Sequence, residues 1–177
     1  MADTCSKRRT LIAVALIAVV CLDQLTKVII EGIIPRNTTR ANREDTFFYF
    51  THERNPGLIG GLFRDSPGIA KTAPVIATVV LVYLYRHLDP TSRLQSMGFG
   101  MIAGGAVGNL VDRFFRGSVV DFLQFDFYFL PDFLHLPTKK YPAFNIADSA
   151  ICVGVGLLIY AWHKMSKRPS SDVAHAD

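Results

Sequence analysis

Four aspartates stand where acids are rare. Asp23, Asp112 and Asp148 fall inside or at the rim of long apolar stretches, and Asp121 follows one closely. A carboxylate at bilayer depth costs roughly 2.5–3.5 kcal/mol on insertion scales, so such residues usually face a bundle interior or a wet cavity. Each intramembrane acid has polar company at helical spacing. Asp23 and Lys27 are four apart and share a helix face, with Gln24 beside them. Asn109, Asp112 and Arg113 stand at i, i+3 and i+4, and Asn145 and Asp148 at i, i+3. Asp121 lies between Val119-Val120 and Phe122 with no obvious local partner.

If the apolar stretches span a membrane, Asp121 and Asp148 end near the same outer surface. Two carboxylates brought close cannot both ionise cheaply, so one proton is shared. One acid then deprotonates a water while the other protonates or polarises a carbonyl. That is peptide hydrolysis without a metal or a side-chain nucleophile. Other chemistries lack parts: there is no His-Glu-x-x-His, no cysteine pair and no Gly-x-Ser-x-Gly. The five histidines, His52, His87, His135, His163 and His175, are scattered. No metal and no cofactor is expected. Plainer roles compete with this one. Asp23 and Lys27 can form a pair snorkelling to the outer surface. Asp112 and Arg113 can cap a helix and pair at its rim. Asp148 can serve only the helix macrodipole, and Asp121 can be a solvated loop acid.

The elements that must hold these acids are apolar. Half of the 177 residues are hydrophobic, 19% are charged, and mean hydropathy is +0.26. A soluble domain carries about 25% charged residues, so the chain reads as a single integral membrane domain over 1–177. Net charge is +4, but the basic residues collect at the edges of apolar blocks rather than in a stripe, which argues against nucleic acid. Four stretches of about 20 residues, 10–30, 68–88, 94–114 and 143–162, are long enough to span. The first follows Lys7-Arg8-Arg9 as a signal peptide would, and Cys21 hints at a lipidated cysteine. Val20 stands where processing needs a small residue, and the helical pattern continues through Asp23 to Ile30, so an uncleaved anchor helix is expected.

Both termini then share a side, and the leading Lys-Arg-Arg makes it the cytoplasmic one. The outer loops are 31–67 and 115–142, and 169–177 is a polar tail. In the first loop, Thr46-Phe47-Phe48-Tyr49-Phe50-Thr51 is β-prone and predicts a few short strands. Gly57, Gly60 and Gly61 give that loop a permissive backbone suited to a gate. The second is rich in aromatics, among them Phe122, Phe125, Phe127 and Tyr141, and reads as an interfacial segment. Gly100, Gly104 and Gly108, with Gly98 and Gly105, predict close helix packing through a small-residue face. The three cysteines, Cys5, Cys21 and Cys152, read as small buried hydrophobes. Composition and spacing thus give an all-α membrane protein with four transmembrane helices, a small β-containing extracytoplasmic loop domain and an interfacial aromatic loop. An enzyme, a proton-coupled transporter relaying through Asp23, Asp112 and Asp148, and a structural bundle all fit.

One ordered set of motifs narrows this. Asp23-Gln24-Leu25-Thr26-Lys27, Asn55-Pro56-Gly57, Gly104-Gly105-Ala106-Val107-Gly108-Asn109-Leu110-Val111-Asp112-Arg113, Val119-Val120-Asp121-Phe122 and Phe144-Asn145-Ile146-Ala147-Asp148 follow one another in the chain. Together they resemble the bacterial lipoprotein signal peptidase family, also called signal peptidase II, over roughly residues 10–163. The resemblance implies an aspartic endopeptidase of the bacterial cytoplasmic (inner) membrane. Such enzymes remove the signal peptide of a prolipoprotein just before a cysteine that carries a diacylglyceryl group. It implies Asp121 and Asp148 as the catalytic dyad. Asn109, Arg113 and Asn145 would contact substrate or the dyad, with Asp112 in support. Asp23 and Lys27 would brace the site, and Asn55 and Gly57 would lie over the substrate. The implied partners are the lipid-modified precursor, membrane lipids and cyclic peptide antibiotics such as globomycin, bound by a monomer with its site near the outer face. After Asn55-Pro56-Gly57 the family tends to show Ala-Ala-Phe, where this chain has Leu58-Ile59-Gly60.

Overall fold

The computed structural model describes residues 2–40, 47–56, 67–127 and 140–167. Four helices and three strands follow in the order α1 (Ala2–Ile33), β1 (Thr39–Arg40), β2 (Phe48–Asn55), α2 (Pro67–His87), α3 (Arg93–Arg116), β3 (Val119–Phe125) and α4 (Ile146–Ser166). The helices coincide with the expected stretches to within a few residues, except that α1 starts well before residue 10. Gly57, Leu58, Gly60 and Gly61, residues 128–139 of the second outer loop and the polar tail lie outside the described residues.

Local chemistry sets the boundaries. α1 has no proline and only Gly32 near its end, and Pro35 then removes the next backbone donor. Asn37 follows at φ 57°, a left-handed turn position that asparagine tolerates, and its N–H donates to His52 O at 2.7 Å. α2 opens on Pro67, whose fixed φ suits a first helical turn. Ser92 caps α3 by accepting from Gln95 N, and Gly117 ends it at φ 74°. Asn145 and Asp148 form a reciprocal capping box at the start of α4.

α3 is the central helix, and glycine makes that possible. A Cβ on Gly100 would sit 2.7 Å from Ile12 O, and one on Gly104 2.8 Å from Leu16 O. On the opposite side, a Cβ on Gly98 would sit 2.8 Å from Gly154 O, and one on Gly105 would collide with Ala147 O. The expected small-residue face is therefore two faces, one against α1 and one against α4. The pairings also give direction. Gly100 and Gly104 meet Ile12 and Leu16 in ascending order, so α1 and α3 run parallel. Gly98 meets Gly154 while Gly105 meets Ala147, so α4 runs antiparallel.

A three-stranded antiparallel sheet, ordered β1-β2-β3, lies at the far end of α1 and α3. The expectation of strands around 46–51 holds for β2. The second outer loop is corrected: residues 119–125 form a strand, because Val119 to Phe125 pairs with Asn55 to Phe48 across the sheet. The register slips by one between Phe50 and Glu53, a bulge on β2. Phe122 does not lie at an interface but is buried with Ile30 and Ile34 under the sheet. Phe125 and Phe127 cluster with Phe47.

A second cluster, including Ile12, Phe99, Ile102 and Leu158, forms the core near the termini. Outside these cores the helices present apolar side chains, including Val14, Ile17, Leu25, Val153 and Ile159. Cys21 and Cys152 are free thiols that also point outward, not inward as expected. In a membrane protein the apolar face meets lipid, so hydrophobicity does not imply burial. Among the described residues, Ser6–Ile33 and Ile146–Ser166 are long and apolar enough to cross a membrane by length and composition. The molecule is mostly helical, with a small sheet.

Candidate active site

The acids converge where α1, α3, α4 and β3 meet. Asp23, Lys27 and Asp112 are fully buried at 0% exposure, which excludes a snorkelling surface pair. Lys27 Nζ lies 2.8 Å from Asp23 Oδ2 and 2.9 Å from Asp112 Oδ2, so one ammonium joins α1 to α3. Asp23 Oδ1 accepts from the backbone N–H of Ala147 at 3.0 Å, which ties this pair to the first turn of α4. Asp112 does not pair with Arg113 at the rim. Its cation on α3 is Arg116, at 2.6 Å and i+4. Its other oxygen accepts from Val120 N at 3.0 Å, which pins β3 to α3 one residue before Asp121.

Asp121 and Asp148 come together through asparagines. Phe144 bridges backbone to backbone with Leu123, donating and accepting at 2.9 and 2.8 Å. This bridge lays the start of α4 along β3. Asn145 Nδ2 then donates to Asp121 Oδ1 at 2.8 Å, while its backbone N–H donates to Asp148 Oδ2 at 3.3 Å. Asn109 Nδ2 donates to Asp148 Oδ1 at 2.8 Å, and its Oδ1 accepts from Lys27 at 3.2 Å and from Asn145 at 3.1 Å. Asn55 sits opposite Val119 on β2, diagonal to Asp121, and its Nδ2 reaches Asp121 Oδ2 at 3.0 Å. Arg113 NH1 donates to Asn109 O at 3.1 Å, and its charge attracts Asp148, Asp121 and Asp112.

Of the expected set, Asp23, Lys27, Asn55, Asn109, Asp112, Arg113, Asp121, Asn145 and Asp148 therefore occupy one site. Gly57 lies outside the described residues. Asp121 is not a solvated loop acid; it is only 3% exposed. Burial pushes its carboxyl up first, and the Asp148 carboxyl adds to the shift. The amides of Asn55 and Asn145 and the Lys27 ammonium oppose it, leaving the pKa at about 7. A carboxyl that titrates near neutrality beside a second carboxyl can serve as acid or base.

Sequence reasoning missed Glu31, Arg54 and Arg116. Arg116 bonds Gln24 Oε1 at 2.7 Å and Glu31 Oε2 at 3.1 Å, and Arg54 pairs with Glu31 from β2. The i, i+4 spacing of Asp112 and Arg116 was the available signal. Glu31 and Arg54 offered none, because they meet only through the fold.

Comparison with known proteins agrees with this architecture. The profile of the family described as Signal peptidase (SPase) II matches residues 15–164. A lipoprotein signal peptidase of Desulforapulum autotrophicum is 38% identical over 165 residues, covering 86% of this chain and 92% of the relative. One from Geobacillus thermodenitrificans is 36% identical over 141 residues, covering 80% and 82%. A bacterial membrane enzyme structure solved in meso at 2.3 Å is 27% identical, with a TM-score of 0.70 over 87% of this chain and 88% of that one. A second, at 1.9 Å, is 28% identical, with a TM-score of 0.64 over 84% and 90%. The family profile spans every acid of the site, and the solved enzymes share its helical frame: the chain belongs to the signal peptidase II family and is a membrane peptidase by that membership.

Proposed function

We propose that this chain is an aspartic endopeptidase that removes the signal peptide of diacylglyceryl-modified prolipoproteins, cutting just before the lipidated cysteine. The observation that carries the reading is Asn145. Its side chain holds Asp121 and its backbone holds Asp148, so one residue sets both carboxyls. Below about pH 7 Asp121 keeps its proton and polarises the scissile carbonyl. Asp148 takes a proton from water, whose oxygen bonds to the carbonyl carbon. The carbon–nitrogen bond then breaks and the departing amine receives a proton from the pair. Asn109, Asn145, Arg113 and Asn55 orient the pair and the substrate backbone. Asp23, Lys27 and Asp112 brace them, and Gly57 belongs to the loop over the substrate. No metal or cofactor is assigned a role.

The parallel course of α1 and α3 requires the chain to return between them. α2 supplies 21 residues for that return, about 31 Å at 1.5 Å each. This supports four spans in one integral domain, with both termini cytoplasmic, in a bacterial inner membrane. The site then lies near the outer face, where water reaches the dyad while the diacyl group stays in lipid. Each buried methylene contributes about 0.8 kcal/mol, so the acyl chains supply binding. The partners are lipidated precursor, membrane lipids and globomycin-like cyclic peptides; the enzyme works as a monomer and binds no nucleic acid. Labelling of a cysteine at residue 40 from the outside and at residue 170 from the inside tests the topology, and labelling of both from one side rejects it.

The function is tested by incubating purified protein with a diacylglyceryl prolipoprotein and weighing the products. The expected products are the free signal peptide and a mature chain beginning at the lipidated cysteine. Uncut precursor, or proton flux across vesicles in place of product, would reject the peptidase reading.

A further inference from the structure

Six charged side chains form one continuous alternating chain. It runs Asp23, Lys27, Asp112, Arg116, Glu31, Arg54, each in ion-pair contact with the next. It starts on α1, crosses α3, returns to the end of α1 and finishes on β2. Three carboxylates face three cations, so the set is neutral. Its inner half is fully buried, and its outer half, Arg116, Glu31 and Arg54, is largely buried.

The chain reaches the immediate neighbours of Asp121 at two points. Asp112 accepts from the N–H of Val120, the residue before Asp121. Arg54 stands opposite Val120 in the β2–β3 register, and Asn55 next to it holds the Asp121 carboxyl. Arg116 is the link on which continuity depends. It binds Asp112, Gln24 and Glu31 together at the end of α3.

We propose that Arg116 and Glu31 are positioning residues for the dyad, setting the placement and protonation of Asp121 through this charge chain. The proposal rests on the aspartic reading above. Its physical content is a change of charge whose sign can be chosen. Without the Arg116 cation, the remaining segment Asp23, Lys27, Asp112 carries one excess negative charge beside the dyad. Without the Glu31 anion, one excess positive charge remains. A unit charge about 10 Å away, in a medium of effective dielectric about 20, moves a titration by about one pH unit.

Other charged groups face Asp121 and stay constant in the comparison. They are Lys27 from α1, exposed Glu53 and partly buried Arg54 from β2, Asp112 and Arg113 from α3, and Asp148 from α4, on which Asp23 of α1 also acts. Asp121 already titrates at about 7, so small changes fall within the measurable range.

The experiment follows kcat/KM and kcat from about pH 5 to 9, using full-length enzyme in phospholipid-supplemented detergent and a dipalmitoylglyceryl precursor peptide. Arg116→Met should move the limb governed by Asp121 to higher pH by roughly half to one unit. Glu31→Gln should move it to lower pH, and Arg116→Lys should leave it in place while lowering kcat. Opposite shifts cannot come from general loosening. If Arg116→Met fails to fold, the Glu31→Gln shift and the Arg116→Lys profile decide alone. Shifts of one sign, or reduced rates with an unmoved limb, overturn the proposal. Asp121→Asn is run beside them. An inactive Asp121→Asn with unmoved limbs refutes only the charge-chain role, whereas an active one removes the aspartic reading and this proposal with it.

Discussion

Asp23 and Asp112 hold cations, while Asp121 and Asp148, on the other side of the same asparagines, hold amides. Lys27 joins the first two at 2.8 and 2.9 Å, and Arg116 closes on Asp112 at 2.6 Å. Asn55 and Asn145 bind Asp121 at 3.0 and 2.8 Å, and Asn109 binds Asp148 at 2.8 Å. The difference is electrostatic. A buried carboxylate with a cation in contact is a fixed charge that fastens helices, and removing its partner strands it. An amide satisfies the same oxygens without supplying a charge, so burial and the neighbouring carboxyl dominate and Asp121 titrates at about 7. Asp121 and Asp148 receive neutral donors, whereas Asp23 and Asp112, which fasten helices, receive ions.

The contrast predicts where substitutions hurt and how. Asp121→Asn and Asp148→Asn should each lower turnover of a lipidated precursor by roughly 10³-fold or more, since each removes an acid–base partner. Folding and binding of a globomycin-like peptide should persist, and the double variant should be little worse than either single one. Near-normal turnover in either variant, by product mass analysis, would end the comparison. Lys27→Met should act the other way, through stability. It leaves Asp23 and Asp112 buried without their shared cation, a loss of about 3–5 kcal/mol, visible as a collapse of the melting temperature in detergent. An unchanged melting curve would mean that the cluster is not structural.

Gly105→Ala tests the scaffold that brings both regions together. Its Cβ would strike Ala147 O, one residue before Asp148, and overpacking of this kind typically costs about 1–3 kcal/mol. Gly156→Ala meets nothing within 4 Å and should stay within about 0.5 kcal/mol of the parent. Equal stability of the two variants would refute close α3–α4 packing. The last test concerns pH and stability. Asp121 has a folded-state pKa raised to about 7 from 3.8. Its contribution to stability is therefore full below the unfolded pKa and lost as pH rises through about 7. Melting temperature should fall over that window in the parent and fall less in Asp121→Asn. Parallel pH dependences would place the titration elsewhere.

Much of this was readable along the chain. The apolar stretches predicted all four helices, because length and periodicity are local properties. Asn145 and Asp148 at i, i+3 foretold the first turn of α4, where they form the capping box. The aromatic run around Phe48 foretold β2. What escaped was non-local. Strand β3 reads as an interfacial segment because its partner is β2, 77 residues earlier by the Phe48–Phe125 pairing. The plainer alternative, a rim pair of Asp112 with its neighbour Arg113, gives way to Arg116 at i+4. Cys21 and Cys152 are apolar and so read as buried, yet they face outward.

By itself, the sequence determined the helical elements, the end of the molecule at which the acids gather and the motifs of the family. Propensity, hydropathy and residue spacing are written in the chain. Only the tertiary structure decided which acid received a cation and which an amide. That choice depends on three long-range contacts: α1 lying parallel to α3 across glycines, β2 pairing with β3, and Leu123 bridging to Phe144. Each brings together backbone far apart in sequence, so no local pattern could specify it. The same aspartate side chain ends up among cations or among amides according to the neighbours those contacts deliver.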